Sequence, residues 1–190
     1  MVEKVIMAGF GGQGLLFMGK LVAQISMDNG RHVTYFPSYG AEVRGGTANC
    51  HVVISDDEIH CPIVEHASSL VIMNTPSYSH FAPRLDPHGL MLLNTSIVQG
   101  YNRSDCKGQL VEIAATDEAN AIGNPRVGNM IMMGAYVEAR KLMSMDEVVD
   151  GLKRALSSKK PEMLEINLAA VTRGRDIMRQ KIDKGEVVPA

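Results

Sequence analysis

The sequence contains no tryptophan, only four phenylalanines and five tyrosines in 190 residues, and only three cysteines, Cys50, Cys61 and Cys106. An odd cysteine count without a Cys-x-x-Cys pair excludes a zinc ribbon, a thioredoxin-type motif and a self-contained iron–sulfur ligand set. The three read as small buried hydrophobes. No apolar run approaches the roughly 18 residues of a membrane-spanning helix. Runs of Lys and Arg are missing as well: 19 basic residues face 21 acidic ones, for a formal net charge of -2. Neither a membrane nor a nucleic acid is therefore expected as a partner. Met1-Val2-Glu3-Lys4 enters a strand-like segment without a signal-peptide pattern, which reads as a cytoplasmic protein.

What remains is ordinary globular composition, 45% hydrophobic and 21% charged. A chain of this length can bury roughly two thirds of its unfolded surface, and no linker or low-complexity stretch divides it. Residues 1–190 are expected to form one domain. Lys4–Ala8 is a short apolar run ending in glycines, and Leu15–Ile25 repeats apolar residues at helical spacing. Gly30 stops that helix, and His32–Phe36 reads as a second strand closed by Pro37. A βαβ opening of this kind calls for a parallel sheet.

Thr47–Ser55 reads as a strand, followed by an acidic turn and a short run over Ile59–Val64, and together they predict an inserted β-hairpin. Ser69–Asn74 and Gly89–Asn94 are near-continuous apolar runs, as in strands covered on both faces. Gln109–Ala114 reads as a further strand, with Thr116 as the N-cap of the helix after it. The C-terminal third is helical. Arg126–Met143 comes first, then Ser144-Met-Asp-Glu147 opens a helix with a capping box, and Pro161 starts a last helix running to about Lys181. The expected fold is α/β: a Rossmann-like, mostly parallel sheet with an inserted hairpin and a helical C-terminal third.

Gly9-Phe10-Gly11-Gly12-Gln13-Gly14 has the GxGxxG pattern between a predicted strand and a predicted helix. Glycines permit a tight turn and close backbone approach, while the free N–H groups and dipole of the helix start attract an anion such as a phosphate or diphosphate. The alternative is a tight turn that binds nothing. A nicotinamide dinucleotide would further require an acid at the end of the second strand. That strand ends Thr34-Tyr35-Phe36-Pro37, with no acid.

Ser38-Tyr39-Gly40-Ala41-Glu42-Val43-Arg44-Gly45-Gly46 leaves the second strand at the same edge of a parallel sheet, so the two loops are expected to face one crevice. Arg44 can take a phosphate or carboxylate bidentately. Alternatively, Glu42 and Arg44 form a surface ion pair worth only about 0–1 kcal/mol.

Gly9–Gly14, the stretch Ser38–Ala48 and Val127-Gly-Asn-Met-Ile-Met-Met-Gly-Ala135 resemble the gamma subunit of 2-oxoacid:ferredoxin oxidoreductases, over essentially residues 1 to 180. The Glu42 loop is most similar to the 2-oxoglutarate branch. The resemblance implies an assembly of alpha, beta, gamma and ferredoxin-like subunits that decarboxylates a 2-oxoacid on thiamine diphosphate with magnesium, passes electrons through iron–sulfur clusters to ferredoxin, and delivers the acyl group to coenzyme A.

This chain has no Gly-Asp-Gly diphosphate–magnesium motif and no cysteine cluster, so those cofactors are expected in partner subunits, with coenzyme A as co-substrate. The resemblance carries binding to Gly9, Gly11, Gly12, Gln13 and Gly14, and to Ser38, Tyr39, Glu42, Arg44, Gly45 and Gly46. It assigns no catalytic residue and no metal ligand. A stand-alone nucleotide-binding oxidoreductase is the alternative function, and a pure assembly module is a third.

His51, His60 and His66 lie near Cys50 and Cys61, but their spacing fits no standard metal site, and surface or partner-contact roles are expected for them. His80 and His88 read as solvated. Met7, Met18, Met73, Met91, Met130, Met132 and Met133 are expected in the interior. The run Met130–Met133 covers more than one helix face, which an interface with another subunit would explain. A surface made for partners would also let the isolated chain pair with itself as a homodimer.

Overall fold

The computed structural model describes residues 1–39, 47–156 and 161–189. Six strands form one sheet in the order β2-β3-β1-β4-β5-β6: β1 Val2–Phe10, β2 His32–Tyr39, β3 Thr47–Ser55, β4 Ala67–Ile72, β5 Leu85–Asn94 and β6 Gln109–Ile113. β1, β4, β5 and β6 are parallel neighbours, while β3 runs antiparallel to both β1 and β2. Alternation sends Val5 and Met7 of β1 into one core and Ile6 and Ala8 into the other, all four fully buried. A strand covered on both faces needs an unbroken apolar run, as Lys4–Ala8 supplies.

Two expectations are corrected. β1 and β2 share a direction but are not neighbours, because β3 lies between them. The hairpin is β2–β3, and Ile59–Val64 is not a strand. The reason is that β3 already has β1 and β2 on its two edges, leaving no ladder for a third partner, and Pro62 could not donate to one. Pro37 also fails to end β2, which continues to Tyr39. β2 is an edge strand, where a missing N–H is tolerated.

Helices α1 Leu15–Asp28, α3 Ala115–Ile122, α4 Gly128–Arg140, α5 Met145–Leu156 and α6 Pro161–Asp183 pack around the larger core. The second face is covered more thinly, by α2 Thr75–Phe81 and by irregular segments carrying Val64 and Val98. The predicted capping box is present: Ser144 N donates to Glu147 Oε2 at 2.6 Å and Glu147 N to Ser144 Oγ at 3.2 Å. Thr116, by contrast, is not an N-cap. The cap position is Ala114, and buried Asn94 bonds Thr116 Oγ1 through Nδ2 at 2.9 Å.

α4 is buried from Gly128 to Ala139. The seven methionines expected inside are all buried. The second side of Met130–Met133 is covered by α6 of the same chain and needs no other subunit, which corrects the interface expectation. The two helices cross backbone to backbone. A Cβ on Gly134 would strike the carbonyl oxygen of Val171, and one on Gly174 would strike that of Ile131.

At its far end α4 is tied to β1: Tyr136 Oη donates to Glu3 Oε1 at 3.0 Å, and Arg140 Nη2 to Glu3 Oε2 at 2.7 Å. Burial, and then the adjacent Glu3 carboxylate, hold the Tyr136 phenol well above its usual range, so it stays a donor.

The crossing generates a prediction. Gly134→Ala or Gly174→Ala forces two helix backbones apart and should cost about 3 kcal/mol, at the upper end of overpacking effects. Urea denaturation checks it: the midpoint should fall sharply with little change in slope.

Candidate functional site

The glycine turn closes on its own side chain. Gln13 Oε1 accepts the N–H of Phe10 at 2.6 Å, and Gln13 Nε2 donates to the Met73 carbonyl at 3.3 Å. The amide thus joins the ends of β1 and β4. Gly12 and Gly14 both have positive φ, 97° and 77°. Gly14 is also pinned from the far side of the sequence, its carbonyl accepting from Asn129 Nδ2 at 3.0 Å. No side chain caps the start of α1, whereas α4 continues a 3-10 turn over Pro125–Val127 whose own start is capped by Asn124, its Oδ1 accepting the N–H of Arg126 at 3.0 Å.

These parts line a cleft of about 160 Å³ formed by Gly12, Gln13, Met73, Ile97, Thr116, Pro125, Arg126, Gly128 and Asn129. It lies beyond the carboxyl ends of β1 and β4, where the chain turns from one half of the sheet to the other, the usual ligand crevice of an open α/β sheet. Arg126 is exposed, and its guanidinium has neither an ion pair nor a hydrogen bond among the described residues. An unpaired cation beside the uncapped start of α1 makes the cleft receptive to an anion.

The sequence-predicted residues divide. Gly12 and Gln13 line the cleft. Gly14 is the N-cap of α1, and Gly11 is exposed in the turn. Gly9 belongs to packing: a Cβ there would lie 2.6 Å from Leu15 Cδ1 and 2.9 Å from Met73 Cβ. Ser38 pairs with Asn49 and Tyr39 with Ala48, which is in register with Gly9 on β1. The second loop therefore leaves the same sheet edge as the glycine turn, two strand spacings or about 10 Å away. Glu42, Arg44, Gly45 and Gly46 lie outside the described residues.

Thr116, Arg126 and Asn129 join the cleft although the sequence marks none of them for binding. A helix is legible from Arg126 onward, but the neighbourhood of Asn129 to Gly14, 115 positions away, is not.

The cysteine and histidine expectations need correction in three places. Cys50 is buried, its thiol pushed up to about 12 by burial, but Cys61 is exposed and Cys106 only half-buried. His51 is buried rather than on the surface, and its Nδ1 accepts the N–H of Val64 at 3.0 Å. His60, His66, His80 and His88 are exposed. No group of three or more His, Cys, Asp or Glu side chains able to hold a metal occurs among the described residues. No helix there is long and apolar enough to cross a membrane.

Sheet order and cleft together define a doubly wound α/β protein with a cleft at the switch between the two halves. The chain belongs to the pyruvate ferredoxin/flavodoxin oxidoreductase family, whose profile matches residues 4–177. It is 33% identical over 182 residues to the ketoisovalerate oxidoreductase subunit VorA of Methanothermobacter marburgensis, covering 95% of this chain but only 37% of that one. It is 30% identical to the 2-oxoglutarate synthase subunit KorC of Methanothermobacter thermautotrophicus, over 94% of this chain and 96% of that subunit. Among solved structures, the 2-oxoglutarate:ferredoxin oxidoreductase of Magnetococcus marinus, with 2-oxoglutarate, coenzyme A and succinyl-CoA bound, superposes with a TM-score of 0.85 at 22% identity. That match covers 94% of this chain and 31% of the other.

The turn geometry yields a graded expectation. Gly12→Ala meets only the positive-φ penalty, about 1–2 kcal/mol, because no atom lies within 4 Å of the new Cβ. Gly14→Ala adds a clash with Asn129 Nδ2 at 2.5 Å and should cost distinctly more, about 3 kcal/mol. Chemical denaturation of the two variants side by side measures the difference.

Proposed function

We propose that this chain is the gamma-type subunit of a thiamine diphosphate-dependent 2-oxoacid:ferredoxin oxidoreductase, one domain of a cytoplasmic complex with alpha, beta and ferredoxin-like subunits and ferredoxin as acceptor. The observation that carries the reading is the cleft: a family member with an anion-receptive crevice and no catalytic acid, base or nucleophile set within it. Thiamine diphosphate, magnesium and the iron–sulfur clusters would supply decarboxylation and electron transfer from the partner subunits. The described residues here offer no ligand set for a metal.

This chain's own contribution is binding and orientation. The N-terminal N–H groups of α1 and α4, with Arg126, would hold the phosphate groups of coenzyme A, and Ser38, Tyr39, Glu42, Arg44, Gly45 and Gly46 would extend the same edge toward the acyl transfer. Gln13 and Asn129 would act from behind, keeping the turn rigid. The substrate is a 2-oxoacid. Relatives are named for ketoisovalerate and for 2-oxoglutarate, and the wording of the Glu42 loop favours 2-oxoglutarate.

The stand-alone dinucleotide reading is opposed by two features. β2 carries no acid at its end, and β3 occupies the place beside β1 where that acid would have to stand.

The experiment is capture of the tagged chain with its partners, followed by coenzyme A-dependent viologen reduction with 2-oxoglutarate, pyruvate and branched-chain 2-oxoacids. Arg126→Ala and Arg44→Ala should each raise KM for coenzyme A about tenfold, a loss of about 1.4 kcal/mol, with the subunits still assembled. Loss of assembly at unchanged KM would assign the loops to scaffolding. NAD(P)H binding by the lone chain, without such partners, would overturn the reading.

A further inference from the structure

Residues 56–66 cross the second face of the sheet between β3 and β4 without regular structure. The segment is anchored at its start, where Arg31 Nη1 reaches Asp56 Oδ1 at 2.9 Å and Asp57 N donates to Ser55 Oγ at 3.0 Å. From Glu58 to His66 one hydrogen bond to the rest of the molecule remains among the described residues, Val64 N–H to His51 Nδ1 at 3.0 Å. Val64 is fully buried in the second core with Ile6, Val53 and Leu70, and Ile59 is half-buried against it; the remaining residues of the strap are exposed. The strap thus rests on Val64, a half-buried Ile59 and one imidazole nitrogen.

That nitrogen can accept only while the ring is neutral, with its proton on Nε2. We propose that His51 is a proton-operated latch: neutral, it holds the 58–66 strap on the sheet, and a proton placed on Nδ1 turns the acceptor into a donor and releases the strap. The surroundings bias the closed ring toward neutrality. His51 is 6% exposed, flanked by Phe36 of β2 at a ring separation of 6.3 Å. The cation whose charge reaches it is Arg84, from the turn at Ala82–Arg84. The other titratable groups on the surrounding elements, Lys4 of β1, His32 of β2, Asp56, Asp57, Glu58, His60, Glu65 and His66 on the strap and His80 on α2, are exposed.

Burial first, and Arg84 second, lower the affinity of the closed ring for a proton. In the open strap the ring returns toward the ordinary value of about 6.5. The closed form is therefore fully favoured above about pH 6.5. It loses about tenfold in population ratio for each pH unit below that, until the closed ring itself titrates. Opening would widen the apolar surface already begun by exposed Phe36 and Ile63, 42% and 52% accessible.

Hydrogen exchange on the full chain, corrected for intrinsic rates, tests the latch. Between pH 6.5 and 5.5 the protection of Val64 should fall severalfold in the wild type, up to about fivefold, while peptides from β1 and β4 stay protected. His51→Asn, which can present a carbonyl oxygen that does not titrate, should show no such pH dependence. Constant wild-type protection, an equal fall in His51→Asn, or simultaneous loss in β1 and β4 would each overturn the proposal.

Discussion

Helix α4 is the strut on which the other elements depend. Its burial from Gly128 to Ala139 is possible only because Gly134 and Gly174 let α6 approach to backbone contact, closing the side that faces away from the sheet. Close helix packing of this kind removes a whole layer of side chains between two backbones, so the small residues there are a geometric requirement. The methionines beside them then fill the irregular space, a task for which an unbranched, flexible side chain is suited.

The strut connects both ends of β1. At one end Asn129 holds the carbonyl of Gly14, and at the other Tyr136 and Arg140 hold the carboxylate of Glu3. Glu3 is buried but saturated with donors, including Ser68 Oγ at 2.9 Å, which is how a carboxylate is accommodated inside a protein. The glycine turn is thus set by three bodies: β1, β4 through Gln13, and α4. A site framed by rigid elements offers its N–H groups in a fixed direction, as recognition of an anion requires.

Much of this architecture was legible in the residues. The apolar runs of β1, β4 and β5, the capping box at Ser144 and the glycine turn follow from local chemistry, because burial on both faces, reciprocal capping and positive φ each leave a short signature. The identity of the candidate cleft was half legible. Gly12 and Gln13 are visible as a motif, whereas Thr116 and Arg126 are legible only as helix-start residues, with nothing local to mark them for binding. The motif marks Gln13 for binding, whereas its amide is engaged with Phe10 and Met73.

The sequence alone determined most of the strands and helices and the place of the glycine turn, since those depend on neighbours within a few positions, although the strand it suggested over Ile59–Val64 is absent. The tertiary structure decided that β3 enters between β1 and β2, that His51 faces inward to hold Val64, and that α6 rather than a second chain covers Met130–Met133. Each of these is a choice between partners distant along the chain. Hydrophobic patterning specifies that a face must be covered, but only packing in three dimensions selects what covers it.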